Sequence, residues 1–357
     1  MLAATPEVRS LYETDRDPAP FIPFIQAVGR GEKLKRDLSY EESVEALRQI
    51  VEQTCSPAQA GAFLITQRVK GEAVDEVRGF TALLRAETIR QIRPRVEGLL
   101  DLAVPYDGKV RSAQLAPAIA ILLAEAGLPV VLHGDEGVPT KEGIGPGPVM
   151  GKLGIAVDLE PEAVQSMVEA VGVGYLSAAR FAPQWHALLP LRRQFGLRTV
   201  LNSVEKLLNP ANAPYQVSGF FHGNYIDRLR AVQTGAERSF IIQGEEGSIE
   251  MAVGRKSHVF AEDEANDLIL DPDALGHTER VRVPGPGDAA GHAALNASVL
   301  AAAECDATEQ VCLTAGVILH LFDLAQDVLD GIGRAKNILG SGAARTRLER
   351  VASASRA

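Results

Sequence analysis

The sequence predicts an α/β protein: a small, discontinuous N-terminal helical bundle domain joined to a larger α/β domain with a central, mainly parallel sheet. Three observations carry this reading. Before Glu97 the chain shows helix start signals and apolar residues at helical spacing. From Leu99 to Leu132 a strand, a helix and a second strand follow one another, which is the βαβ unit of a parallel sheet. Between Pro183 and Asn209 the helical pattern returns, as expected of an insertion that packs back on the first bundle. The expected division is therefore residues 1–97 with 183–209 in the helical domain, and 98–182 with 210–357 in the α/β domain.

The elements follow in order. Ser39 and Glu42 form a capping-box pattern, in which a hydroxyl and a carboxylate cap each other's amides, and Val44, Leu47, Ile50 and Val51 follow at helical spacing. Ser56, Pro57 and Gln59 repeat the signal for a second helix ending by Gly71. Val74, Val77, Leu84 and Ile89 predict a third, stopped near Pro94. Leu99 to Val104 reads as a buried strand, Ser112 to Glu125 as a helix interrupted by Pro117, and Leu128 to Leu132 as a second strand after Gly127. Gly172 to Leu176, Ser239 to Gln243 and Arg280 to Val283 are further strand candidates. The 183–209 stretch divides near Gly196 into two helices, one through Trp185, Leu188 and Leu189, the other through Val200, Val204 and Leu207. Asn209-Pro210 stops the second. His292 to Ala303 and Thr308 to Leu329 read as helices, the latter with a stripe at Val311, Ala315, Ile318, Leu319 and Phe322.

Composition bounds the function. A chain of 357 residues buries a sizeable core and makes roughly two domains at about 150 residues each. Cys55, Cys305 and Cys312 form no CxxC pair, and an odd count argues against a disulfide framework, so a reducing cytoplasm is expected. The start, MLAATPEVRS, lacks the basic and apolar regions of a signal peptide, and no apolar run reaches membrane-spanning length. The net charge of −10 disfavours a global nucleic-acid binder. Charge is unevenly placed, however. Gln243 to Asp273 holds nine acids against Arg255 and Lys256, whereas Arg85, Arg90, Arg93 and Arg95 face only Glu87, and six basic residues from Arg334 onward face only Glu349. Such clusters are either solvated helix faces or a local basic surface.

The order of helical bundle, strand, loop, helix, strand, His133-Gly134 and then RxxxGxRTxxNxxxxLLNPA from Arg192 resembles the anthranilate phosphoribosyltransferase family across nearly the whole chain. Val217 to Tyr225, VSGFFHGNY, makes its YbiB-type branch the nearest resemblance. The resemblance implies a homodimer formed through the helical domains. It also implies a glycine-rich loop that cradles a sugar diphosphate on backbone amides. Here that loop is Val104-Pro105-Tyr106-Asp107-Gly108, in which Pro105 has no N–H to donate and Tyr106 is bulky. Only Asp107 and Gly108 match. The family's Lys-His-Gly-Asn becomes Leu132-His133-Gly134-Asp135, and its phosphate loop becomes Pro139-Thr140-Lys141-Glu142-Gly143, where Thr140 and Lys141 remain able to contact a phosphate or simply open the next helix. The magnesium-binding acidic pair becomes Ile249-Glu250, a half-lost site unless a different acid, Glu245 or Glu246, substitutes, the simpler reading being a lost site. Arg192 matches the arginine used on the anthranilate carboxylate, although pairing of Arg192, Arg193 and Arg198 with acids of the bundle fits the sequence equally.

Other chemistries have no support. The chain lacks a GxSxG elbow, an HExxH pair and a Walker loop. His320 sits on an apolar helix face, as a core residue would, and Phe220-Phe221-His222 with Tyr225 suits either base stacking or interface packing. Three functions remain open. One is a catalytically degenerate scaffold, not an enzyme, that binds DNA or RNA without sequence preference, as the YbiB-type branch is associated with. Its candidate contacts are Lys33, Lys35, Arg36, Arg85, Arg90, Arg93, Arg95, Arg192 and Arg193. The second is a phosphoribosyl or other glycosyl transferase with an altered substrate, the only reading that needs Mg2+. The third is a small-ligand sensor that uses the same cleft.

Overall fold

The computed structural model describes residues 17–220, 223–232, 235–276 and 279–356. Its first helices are Ile22–Gly29, Tyr40–Val51, Pro57–Lys70 and Val74–Leu83. Both serine start signals form complete capping boxes: Glu42 N–H donates to Ser39 Oγ at 3.2 Å while Ser39 N–H donates to Glu42 Oε2 at 2.9 Å, and Ser56 and Gln59 repeat the exchange. The Val74 helix stops earlier than expected. It widens into a π-turn at Leu84–Thr88, and Ile89 is already extended. The reason is tertiary: the segment that follows gives its amides to distant parts of the chain, Arg90 N–H to Phe181 O at 2.6 Å and Ile92 N–H to Pro210 O at 2.9 Å.

One seven-stranded sheet forms the larger part. Its strands are β1 (Leu100–Ala103), β2 (Val130–Gly134), β3 (Val173–Ser177), β4 (Tyr215–Gly219), β5 (Arg238–Ile242), β6 (Ser257–Phe260) and β7 (Leu268–Leu270), in spatial order β3-β2-β1-β4-β5-β6-β7. The first five are mutually parallel, and β6 and β7 add an antiparallel edge. Side chains alternate across the sheet as strand geometry requires. Leu100, Leu102, Val130, Leu132, Val217 and Ile242 face a core built with helices Ala116–Glu125, Ala289–Leu300, Asp306–Leu321, Val328–Gly340 and Ala343–Ala354. Leu99, Val131 and Ile241 face a second core that merges with the N-terminal helices and with Trp185, Leu188, Val200 and Val204.

Several expectations are corrected. Arg280 to Val283 is not a strand: Val281 N–H reaches Val253 O at 3.2 Å and Val283 O accepts from Ala113 N–H at 3.0 Å, with a lone bridge from Ser112 to Pro284. The Ser112 helix begins only at Ala116, so Pro117 sits in the first turn, where its missing N–H does no harm. The Thr308 helix ends at Leu321 and a separate one starts at Val328 on an Asp327 cap. The inserted stretch is broken into Pro183–His186, Leu189–Phe195 and Leu201–Val204 rather than two helices. Pattern reading misses β4, β6, β7, the Ile22–Gly29 and Pro161–Val171 helices and the last two helices. Among the described residues no helix is long and apolar enough to cross a membrane.

Candidate functional site

Parallel strands deliver their following loops to one edge of a sheet, and the chain reverses its strand order between β1 and β4. There a cavity of about 490 Å³ opens, lined by Arg68, Asp107, Arg198, Lys206, Phe220 and Glu246 among others. One wall is the turn after β1. Gly108 has φ +66°, and a Cβ there would lie 2.5 Å from the Gly143 carbonyl carbon, so only glycine fits. Asp107 accepts from Arg198 Nε at 2.7 Å, and Lys141 Nζ stands 3.8 Å from its other oxygen. Lys141 also donates to Gly108 O at 3.0 Å, and burial lowers its pKa. Lys206 is buried in the lining, donating to Gly219 O at 2.7 Å with its ammonium 4.3 Å from the centre of the Phe220 ring. Burial pushes its pKa down to about 7.

Glu246, in the turn after β5, reaches across this cleft. Its carboxylate accepts from Arg111 N–H at 2.8 Å, Ser112 N–H at 2.7 Å and Ser112 Oγ at 2.9 Å. Burial works against its charge, but these hydrogen bonds and nearby Lys141 prevail and hold its pKa at about 2.

The other sequence-predicted residues lie apart from the cavity lining. Tyr106 and His133 turn into the core: Tyr106 Oη is 2.5 Å from His133 Nδ1, and His133 Nε2 is 3.0 Å from Asp101 Oδ1. Burial raises the Tyr106 pKa well above its usual value, so the phenol keeps its proton. Gly134 ends β2 behind them. Asp135 pairs with His186 Nδ1 at 2.8 Å. Thr140 is exposed. Arg192 is buried against Glu205, Nη1 to Oε2 2.8 Å, with its guanidinium 5.5 Å from the Trp185 ring. Glu250 is also fully buried, 3.0 Å from Lys109 Nζ and accepting Leu115 N–H at 2.9 Å, while Ile249 packs in the core. With one carboxylate committed to a lysine and its neighbour apolar, the Ile249-Glu250 position does not fit a magnesium ion.

The basic candidates divide. Lys35 pairs with Glu32, Arg36 with Glu42, Arg90 with Glu160 and Glu162, and Arg193 with Glu142. Arg85 donates to the carbonyl of Leu208. Lys33, Arg93 and Arg95 are exposed and form no side-chain ion pair among the described residues. Phe220 and Tyr225 stack at 5.4 Å, whereas Phe221 and His222 lie outside the described residues. Sequence reasoning missed Arg68, Lys206 and the role of Glu246. The available signal for Lys206 was a charged pair, Glu205-Lys206, inside the otherwise apolar run Val204 to Leu208.

Comparison with known proteins agrees with this fold. Residues 22–88 match the glycosyl transferase family helical bundle domain, and residues 109–345, more than half the chain, match the a/b domain of the same family. The anthranilate phosphoribosyltransferase of Anaeromyxobacter dehalogenans (strain 2CP-C) is 32% identical over 329 residues, covering 89% of this chain and 95% of that protein. That of Thermomicrobium roseum is 31% identical over 325 residues, covering 88% and 92%. The crystal structure of anthranilate phosphoribosyltransferase from Thermus thermophilus superposes with a TM-score of 0.81 at 26% identity, over 94% of this chain and 99% of that one. The Saccharomyces cerevisiae enzyme in complex with PRPP and Mg shares the fold, with a TM-score of 0.81 at 18% identity, over 95% and 99%. The chain therefore belongs to the anthranilate phosphoribosyltransferase-like glycosyl transferase family.

Proposed function

We propose that this chain keeps the family scaffold without phosphoribosyl transfer to anthranilate, and that it binds nucleic acid without sequence preference in the manner of the YbiB-type branch. One observation carries the first half. The two charges at the family's catalytic positions, Arg192 and Glu250, are both buried in ion pairs with the chain's own Glu205 and Lys109. Neither is free to meet a substrate, and the Pro105-Tyr106 turn has lost the glycines that let a diphosphate approach. Purified protein given phosphoribosyl diphosphate, anthranilate and Mg2+ is expected to leave anthranilate fluorescence unchanged; turnover above the no-protein rate overturns this half.

The second half is supported by the exposed Lys33, Arg93 and Arg95, by Arg68 and Arg198 at the cleft, and by the stacked Phe220–Tyr225 pair beside them. Phosphate contacts require only clustered cations, and aromatic faces accept any base. A homodimer through the helical segments would double each cluster, and the working compartment would be the cytoplasm. In a gel shift, affinity should fall with salt at a log–log slope of about −0.9 per phosphate contact on duplex DNA. Absence of binding to single and double strands at low salt overturns it. A second reading, a glycosyl transferase with an altered substrate, is favoured by the cavity of about 490 Å³ and its Arg198 and Lys206. It predicts ligand-dependent thermal stabilisation by a sugar phosphate with no shift by oligonucleotides.

A further inference from the structure

We propose that Glu246 is a built-in carboxylate plug: it fills an anion-binding nest made by the backbone amides of Val110, Arg111 and Ser112, and a phosphate- or diphosphate-bearing ligand occupies that nest only by displacing it. The nest has four donors aimed at one carboxylate, Val110 N–H at 3.3 Å, Arg111 N–H at 2.8 Å, Ser112 N–H at 2.7 Å and Ser112 Oγ at 2.9 Å. Lys141 Nζ stands 3.6 Å away. Successive amides turned to one point, with a hydroxyl and an ammonium beside them, are the chemistry that recognises a tetrahedral oxyanion. The anion present comes from a distant part of the chain, and its side chain is 6% exposed.

Placing it there demands backbone strain. Glu246 adopts φ 54°, ψ 20°, the left-handed region that a residue with a side chain seldom takes. Its turn is also clamped, because a Cβ on Gly219 or Gly244 would lie 2.2 Å or 2.1 Å from the Ser248 backbone. Strain held by close packing at a ligand-type site points to a position with a role beyond stability. Glu246 lines the same cavity as Asp107, Arg198 and Lys206, so a displacing phosphate would keep contact with the open cleft.

The inference rests on the loss of phosphoribosyl transfer proposed above, and its test separates the two. Inorganic pyrophosphate is titrated calorimetrically into the full chain at pH 7.5 and constant ionic strength. E246A should bind it at least about tenfold more tightly than the unaltered protein, the equivalent of one charge-assisted hydrogen bond. Adding S112A or K141M to E246A should abolish the gain. E264Q, which removes the same charge from an exposed turn, should produce none. Equal affinities in the unaltered protein and in folded E246A overturn the plug. If E246A fails to fold, the near-isosteric E246Q decides, a gain supporting the plug and no gain overturning it. Turnover of anthranilate by the unaltered protein would defeat the functional reading alone and would leave the E246A comparison intact.

Discussion

Arg192 distinguishes a structural arginine from a substrate-binding one. Its guanidinium is 2.8 Å from Glu205, and the two side chains are 3% and 1% exposed. Arg192→Met keeps most of the apolar stem against Trp185 but leaves Glu205 buried without its cation. Removing one member of a buried pair costs about 3–5 kcal/mol, because the remaining charge stays desolvated. Removing both, in R192M/E205L, should restore stability to within about 1–2 kcal/mol of the original. The pH dependence has a definite sign. Burial raises the Glu205 pKa above 4.5 even with Arg192 present, and loss of Arg192 raises it further. The folded state then holds a proton that the unfolded state releases, so both proteins lose stability as pH rises above 4.5, and R192M, with the higher folded pKa, goes on losing it after the original has stopped; its deficit therefore grows as pH rises above the original protein's folded Glu205 pKa. Urea unfolding followed by the fluorescence of Trp185, the only tryptophan, reads this directly, since its ring is 5.5 Å from the substituted group. An R192M protein within about 1 kcal/mol of the original at pH 8 would refute the reasoning and return Arg192 to the list of ligand contacts.

Other consequences are as specific. Tyr106→Phe deprives the fully buried His133 Nδ1 of its hydrogen-bond partner at 2.5 Å and should lower stability by about 1–3 kcal/mol, measured by the same unfolding assay. Gly108→Ala sets a Cβ 2.5 Å from the Gly143 backbone at φ +66° and should cost about 2–3 kcal/mol. Glu246 has a folded pKa of about 2 against an ordinary 4.5, so its stabilising contribution is complete above 4.5 and is lost as pH falls toward 2. Acid titration of thermal stability should therefore flatten across that window in E246Q, and an unchanged slope would contradict the hydrogen bonds assigned to it. Neutralising Arg93 and Arg95 should reduce the salt slope of nucleic-acid binding by about one unit each, whereas neutralising Arg90, already held by Glu160 and Glu162, should change it less.

By itself the sequence determined the parts whose cause is local. Ser39 with Glu42 and Ser56 with Gln59 define helix starts because capping is settled within four residues. The β1–helix–β2 unit is legible because its buried runs are apolar but for Asp101 and His133, and the helical stretch before Asn209-Pro210 ends at Leu207, ahead of the expected stop. The family's motifs, and their departures at Pro105, Tyr106 and Ile249, are equally visible in the chain. The short edge strands β6 and β7 were not legible, since three or four residues among acidic turns carry no periodicity of their own; β6 exists through pairing with β5, and β7 through pairing with β6. Charge partnership was decided only by the tertiary structure. Glu246 reads as one of nine acids in an acidic run, yet it meets amides more than 130 positions away. Arg90 reads as part of a basic cluster, yet its charge is matched by Glu160 and Glu162. Burial preference is a property of a residue and its near neighbours, whereas an electrostatic pair depends on which distant segments the sheet order brings within a few ångströms.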